Sequence, residues 1–174
     1  MKIPETLQEK LDKYAGQVPF PVAALARDFN LDVYLTGDLE DRQSGMIKKE
    51  DDHYVIYINE RHPANRQRFT IAHEIAHFVK HKNLLDAEEE HLDFIVQPVN
   101  GEKVLQRADR LMSEAERKME WEANSIAAEI LMPAQQFRIA FEHANAIEEV
   151  AEKFGVSPAA ATIRAKTLFG EVLF

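Results

Sequence analysis

Residues 69–77 read Phe69-Thr70-Ile71-Ala72-His73-Glu74-Ile75-Ala76-His77. Phe69, Ala72, Ala76 and Val79 recur at helical spacing. Residues four apart share a helix face, so His73 and His77 can aim ring nitrogens at one ion. Glu74, turned by about 100° from His73, can reach water activated by that ion and take its proton. Such an H-E-x-x-H arrangement is a metal site with a built-in general base. The chain has no cysteine. Disulfides, thiolate metal sites and cysteine nucleophiles are therefore excluded, and a third ligand must be His, Asp or Glu.

A catalytic zinc normally takes three protein ligands. Met119-Glu120-Trp121-Glu122-Ala123-Asn124 offers two carboxylates that a helix turns about 200° apart. Glu122 shares its face with Lys118, Ser125 and Glu129, a polar stripe expected in solvent. Glu120 shares its face with Asn124, Ala127 and Leu131, which reads as half-buried. A carboxylate on such a face needs a partner, because burying it unpaired is costly. Glu120 is the expected third ligand. Asn124, one turn on, is placed to hydrogen-bond a ligand histidine and fix its ring. His81 extends the histidine row, yet reads more simply as a cation favourable to a helix C-terminus. Nothing in the sequence fixes His91 or His143 near the metal, and His53 and His62 read as surface residues. Asp86 to Glu90 reads as a solvated loop.

These side chains need elements to hold them. Leu7, Leu11 and Tyr14 fit a helix ended by Gly16, and Pro21 opens a second that Asn30 stops. Leu31 to Leu35 alternates like a half-buried strand, and Ser44–Lys49 and Tyr54–Asn59 add two more around a turn at Glu50-Asp51-Asp52. From Pro63 the period turns helical, and the first of these helices should end near Lys82-Asn83. Phe94 to Val99 reads as a weak strand, since it contains Pro98. Ser113 with Glu116 forms a capping box for a helix to Leu131, followed by a short helix from Pro133 to about His143. Asn145 and Ser157 are expected caps for helices Ala146–Phe154 and Pro158–Phe169. The expected fold is α+β: a small three-stranded twisted sheet followed by a mostly helical body, with the metal between the His73–His77 helix and the Glu120 helix. An exposed sheet edge would hold an extended substrate by strand addition.

With 174 residues, 45% of them apolar, the chain is expected to fold as one domain over 1–174. No secretory signal or membrane-length apolar run is seen, so a cytoplasmic protein is expected. The net charge of −9 argues against a protein whose main task is gripping phosphate backbone. The tail from Ile147 to Ala160 nevertheless has the rhythm of a helix-turn-helix. Its second helix offers only Arg164 and Lys166 as cations, beside Glu148, Glu149 and Glu152. Helices 146–169 are therefore expected to pack on the core, and direct DNA binding is not.

His73-Glu74-Ile75-Ala76-His77, with Glu120-Trp121-Glu122-Ala123-Asn124-Ser125-Ile126-Ala127-Ala128-Glu129-Ile130-Leu131-Met132-Pro133, resembles the ImmA/IrrE family of metallo-endopeptidases. The Glu-x-x-Ala-Asn…Leu-Met-Pro block is the more specific half, although Ile126 stands where the family often has Phe. The spacing Glu120-x-x-x-Asn124 is similar to the second motif of thermolysin-like gluzincins. The resemblance implies a zincin-like core, one Zn²⁺ per chain (Mn²⁺ being the alternative ion) held by His73, His77 and Glu120, and Glu74 as the catalytic base. It also implies a protein substrate, a helix-turn-helix repressor whose cleavage lifts repression in a stress response or mobile element. Some relatives carry an added DNA-binding or sensor-like domain, and neither is expected within these 174 residues. A non-cleaving zinc-dependent sensor or toxin-like regulator, and a DNA-binding regulator using the tail, are the rival readings.

Overall fold

The computed structural model describes residues 3–87, 92–94, 106–107, 110–111 and 113–170. Helices α1 (Glu5–Asp12) and α2 (Val22–Asp28) come first, burying Leu7 and then Val22, Leu25 and Ala26. Asn30 turns the chain into the sheet at φ 56°, a left-handed conformation that Asn tolerates better than most residues.

Three strands carry the sheet: β1 (Leu31–Thr36), β2 (Gly45–Glu50) and β3 (His53–Asn59). β2 and β3 form an antiparallel hairpin, and β1 joins β3 in parallel, giving the order β1-β3-β2. A short fourth strand, β4 (Leu92–Phe94), extends the far side of β2. Only Phe94 of the strand expected over 94–99 falls in β4; the rest lies outside the described residues, as does His91. Leu31, Ile47, Tyr54, Ile56 and Ile58 point into the core. Alternate residues face the other way, as the period of two requires.

Helix α3 (Ala64–Ala87) crosses β2 and β3. A Cβ on Gly45 would lie 2.6 Å from Thr70 Cγ2 and 2.7 Å from the Tyr57 carbonyl oxygen. Glycine there lets the helix settle against β2 one turn before His73. The helix was expected to stop near Lys82; instead it kinks at His81 (φ −124°, ψ 20°) and runs on to Ala87, so Asp86 belongs to a helix, not a loop. Ala87 ends that helix, and residues 88–90 of the expected loop lie outside the described residues. Two-residue strands β5 (Gln106–Arg107) and β6 (Arg110–Leu111), which the sequence does not announce, pair antiparallel.

Helix α4 (Glu114–Leu131) opens on the expected capping box: Ser113 Oγ accepts from Glu116 N, and Glu116 Oε2 accepts from Ser113 N. Helices α5 (Ala134–His143), α6 (Ile147–Phe154) and α7 (Pro158–Phe169) follow. Ser157 caps α7 as expected, whereas α6 has Ala146 at its N-cap and no side-chain cap from Asn145. Val150, Ala151, Phe154, Ala161 and Ala165 join the same core as Ile126, Ile130 and Phe137.

Arg164 corrects the reading of the tail as carrying two free cations. It is 6% exposed, pairs with Glu129, and donates from Nε to the Met132 carbonyl oxygen at 3.0 Å. Glu129, expected on a solvated stripe, instead accepts from both Arg164 and the Ala134 N–H. Arg164→Ala leaves the Met132 carbonyl and the Glu129 carboxylate short of a donor, and should cost about 1–3 kcal/mol. Exposed Lys166→Ala should stay within about 0.5 kcal/mol of the parent. Urea denaturation midpoints of the two variants check this ordering.

Candidate metal centre

Helix α3 brings His73 and His77 to one face, one turn apart. Both side chains are buried, at 1% and 0% exposure. Helix α4 packs against α3 and lays Glu120 across that face. Three ligand-type atoms converge: His73 Nε2 and His77 Nε2 lie 3.0 Å apart, Glu120 Oε2 is 3.3 Å from His73 Nε2, and Glu120 Oε1 is 2.9 Å from His77 Nε2. Among the described residues these side chains form the one group of at least three able to hold a metal ion.

The donor set fits a divalent cation. Two imidazole nitrogens 3.0 Å apart can have at most one proton between them, whereas two lone pairs meeting at a cation need none. A tetrahedral ion with ligands at about 2.0–2.1 Å separates them by about 3.3–3.4 Å, so only a slight opening of the cluster is required. The His73 tautomer suits the task. His73 Nδ1 stands 3.0 Å from Asn124 Oδ1, and an Nδ1–H donated there makes Nε2 the atom that can serve as ligand once it is deprotonated. Asn124→Ala should weaken metal affinity by about 10- to 100-fold, as measured against a competing chelator.

Without metal, the electrostatics of the cluster are those of a shared proton. Burial alone would lower the His73 pKa, but the hydrogen bond and charge of Glu120, then the charge of Glu74 and the Asn124 hydrogen bond, raise it above the usual imidazole range. Burial pushes His77 down to about 4, helped by the neighbouring His73 charge and opposed by Glu120. Burial would raise Glu120, yet hydrogen bonds from both histidines hold it down at about 2. A cation binding to His73 Nε2 competes with a proton that Glu120 helps to hold there. Because the raised pKa keeps that proton bound to higher pH, metal affinity should fall as pH drops through the neutral range. Titration calorimetry in buffers of differing ionisation enthalpy should register the released proton.

Glu74 is 1% exposed and lies close enough to raise His73 through its charge. Glu122, the competing carboxylate, points elsewhere: its Oε2 stands 3.7 Å from His81 Nε2. Contrary to the expected solvated stripe, the Glu122 side chain is only 19% exposed. His81 is no exposed helix-end cation either. It is 8% exposed, sits at the kink, and has its pKa lowered by burial. The sequence hinted at this contact only through the four-residue step from His77 to His81. His143 lies on exposed α5 surface, away from the cluster.

An H-E-x-x-H helix beneath a small mixed sheet, with a carboxylate supplied by the next long helix, defines an α+β zincin-like metallopeptidase fold. The peptidase M78 family model, described as the IrrE N-terminal-like domain, matches residues 27–166, and the chain belongs to that family. No curated protein gives a significant match. Among solved structures, a Mycobacterium tuberculosis transcriptional regulator is similar in fold, with a TM-score of 0.62 and 19% sequence identity. The likeness covers 94% of this chain and 46% of the regulator, so the chain spans under half the length of that protein.

Proposed function

We propose that the chain is a zinc-dependent endopeptidase, a single catalytic domain that cleaves a partner transcriptional repressor and so relieves repression. The observation that carries this reading is the convergence of His73, His77 and Glu120 beside the buried Glu74 carboxylate. Family membership supports peptidase chemistry. A divalent ion in such a site polarises a scissile carbonyl and makes water acidic enough to lose a proton near pH 7. The chain's own residues do the rest. His73, His77 and Glu120 hold the ion, Asn124 orients the His73 ring, and Glu74 takes the proton from water and passes it to the leaving amine. Mn²⁺ is the other ion this ligand set accepts.

Thr70 settles against Gly45 of β2 one turn before His73, so we assign an extended substrate to the end of the sheet formed by β2 and β4. The regulatory setting is favoured by the resemblance to the ImmA/IrrE family and fits the regulator with which this chain shares its fold. A cytoplasmic location goes with such a partner, and no helix among the described residues is long and apolar enough to cross a membrane. The inward-turned Arg164 weighs against the tail reading DNA.

The test is co-incubation with the helix-turn-helix repressor encoded nearest the gene, with added Zn²⁺ and with chelator, read by intact mass. Zn²⁺-dependent cleavage at a single bond supports the proposal. A repressor left whole by fully metal-loaded protein contradicts it.

A further inference from the structure

We propose that β1 is a dimer interface, two copies of this chain pairing their β1 strands antiparallel about a two-fold axis at Tyr34. β1 is an edge strand, paired on one side with β3. Its other side has no backbone partner among the described residues. The Thr36 carbonyl oxygen accepts from Glu60 N at 3.0 Å, on the β3 side. Backbone groups alternate sides along a strand, so Asp32, Tyr34 and Thr36 serve β3, and Leu31, Val33 and Leu35 present N–H and C=O outward.

Natural edges are usually blunted by Lys, Pro, bulges or brevity. Leu31-Asp32-Val33-Tyr34-Leu35-Thr36 has six paired residues and neither Lys nor Pro. Its centre carries Tyr34 at 54% and Leu35 at 60% exposure, on opposite faces of the sheet. A strand added here would cover both.

The strand is complementary to itself. Across a two-fold axis normal to the sheet, facing residues must come from the same face, so even numbers meet even and odd meet odd. Centring the axis on Tyr34 sets Val33 against Leu35 of the second copy, and Leu31 against Gly37. These are the outward-pointing residues that an antiparallel ladder needs as hydrogen-bonded pairs. Tyr34 then faces Tyr34 of the second copy in a non-hydrogen-bonded pair, where side chains come closest. Charge is accommodated as well. Asp32, the strand's one ionised residue, falls opposite Thr36 of the second copy and not opposite another carboxylate, and its own chain's His53 stands 3.7 Å away. In a chain of net charge −9, this neutral strip lets two copies meet without stacking like charges. β1 lies at the opposite end of the sheet from β2 and β4, so the pairing does not touch the β2 side, against which the metal helix lies. The inference is independent of the peptidase reading.

Sedimentation velocity over a concentration series should show mass rising from one chain to two. Leu35→Lys should raise the dissociation constant at least tenfold, with an unchanged far-ultraviolet circular dichroism spectrum. Because the chain lacks cysteine, Tyr34→Cys places one thiol on the axis. Facing Cα atoms in such a pair lie about 4.5 Å apart, within disulfide reach of about 4.4–6.8 Å. Mild oxidation should cross-link this variant and leave Lys153→Cys, on exposed α6 surface, as single chains. A single-chain mass at every concentration, a dimer indifferent to Leu35→Lys, or Tyr34→Cys cross-linking no faster than Lys153→Cys would each overturn the proposal.

Discussion

Glu74→Gln should abolish peptide hydrolysis while leaving both metal content and fold in place. The substitution keeps shape and removes the carboxylate proposed as proton acceptor. Glu74 sits one residue past His73 on α3, buried to 1% exposure, and belongs to the cluster's surroundings, not to its three converging ligand atoms. Losing a general base costs about 10²–10⁴-fold in rate, so kcat should fall by at least the lower figure. KM should move little, since the proposed substrate-binding end of the sheet is untouched. Elemental analysis of the variant should still find its metal. Undiminished cleavage would dismiss Glu74 from the mechanism, and loss of metal would recast it as a ligand.

Glu120→Ala should reduce metal affinity by more than the about 100-fold that bounds the loss of an outer hydrogen-bonding partner, because it deletes one of the three side chains proposed to hold the ion. Glu122→Ala should leave metal affinity near that of the parent. The two carboxylates are separated by one residue, yet the helix turns them about 200° apart. Glu120 meets both histidines within 3.3 Å, whereas Glu122 meets only His81, at 3.7 Å. Competition with a chromogenic chelator measures both variants on one scale. The reverse ranking would move the ligand from one face of α4 to the other.

What the sequence makes legible, and what it hides, follows from how local each signal is. The H-E-x-x-H helix and the capping box at Ser113 lie within a single turn or two of helix, so residue type and spacing are enough. That Glu120 and not Glu122 lies beside His73 and His77 is also readable, because one face of α4 is apolar and a lone carboxylate there calls for a partner. Pairings between distant elements were not. Arg164 joins Glu129 across 35 residues, and on α7 alone it looked like a surface cation. Glu122 reads as solvated in the sequence, whereas its carboxylate stands 3.7 Å from His81, the kink residue of α3. β4 escaped because its pairing with β2 joins residues 45 or more apart in the chain, and a three-residue strand gives no alternation to detect.

The measurement that bears most directly on the central claim is metal content with X-ray absorption, on protein purified without chelator and reloaded with Zn²⁺. One ion per chain is expected, with nitrogen and oxygen neighbours at about 2.0–2.1 Å and the scattering signature of two imidazole rings, all lost in the His73→Ala/His77→Ala double variant. A chain that binds no divalent ion, or a double variant that keeps it with the same spectrum, would contradict that claim.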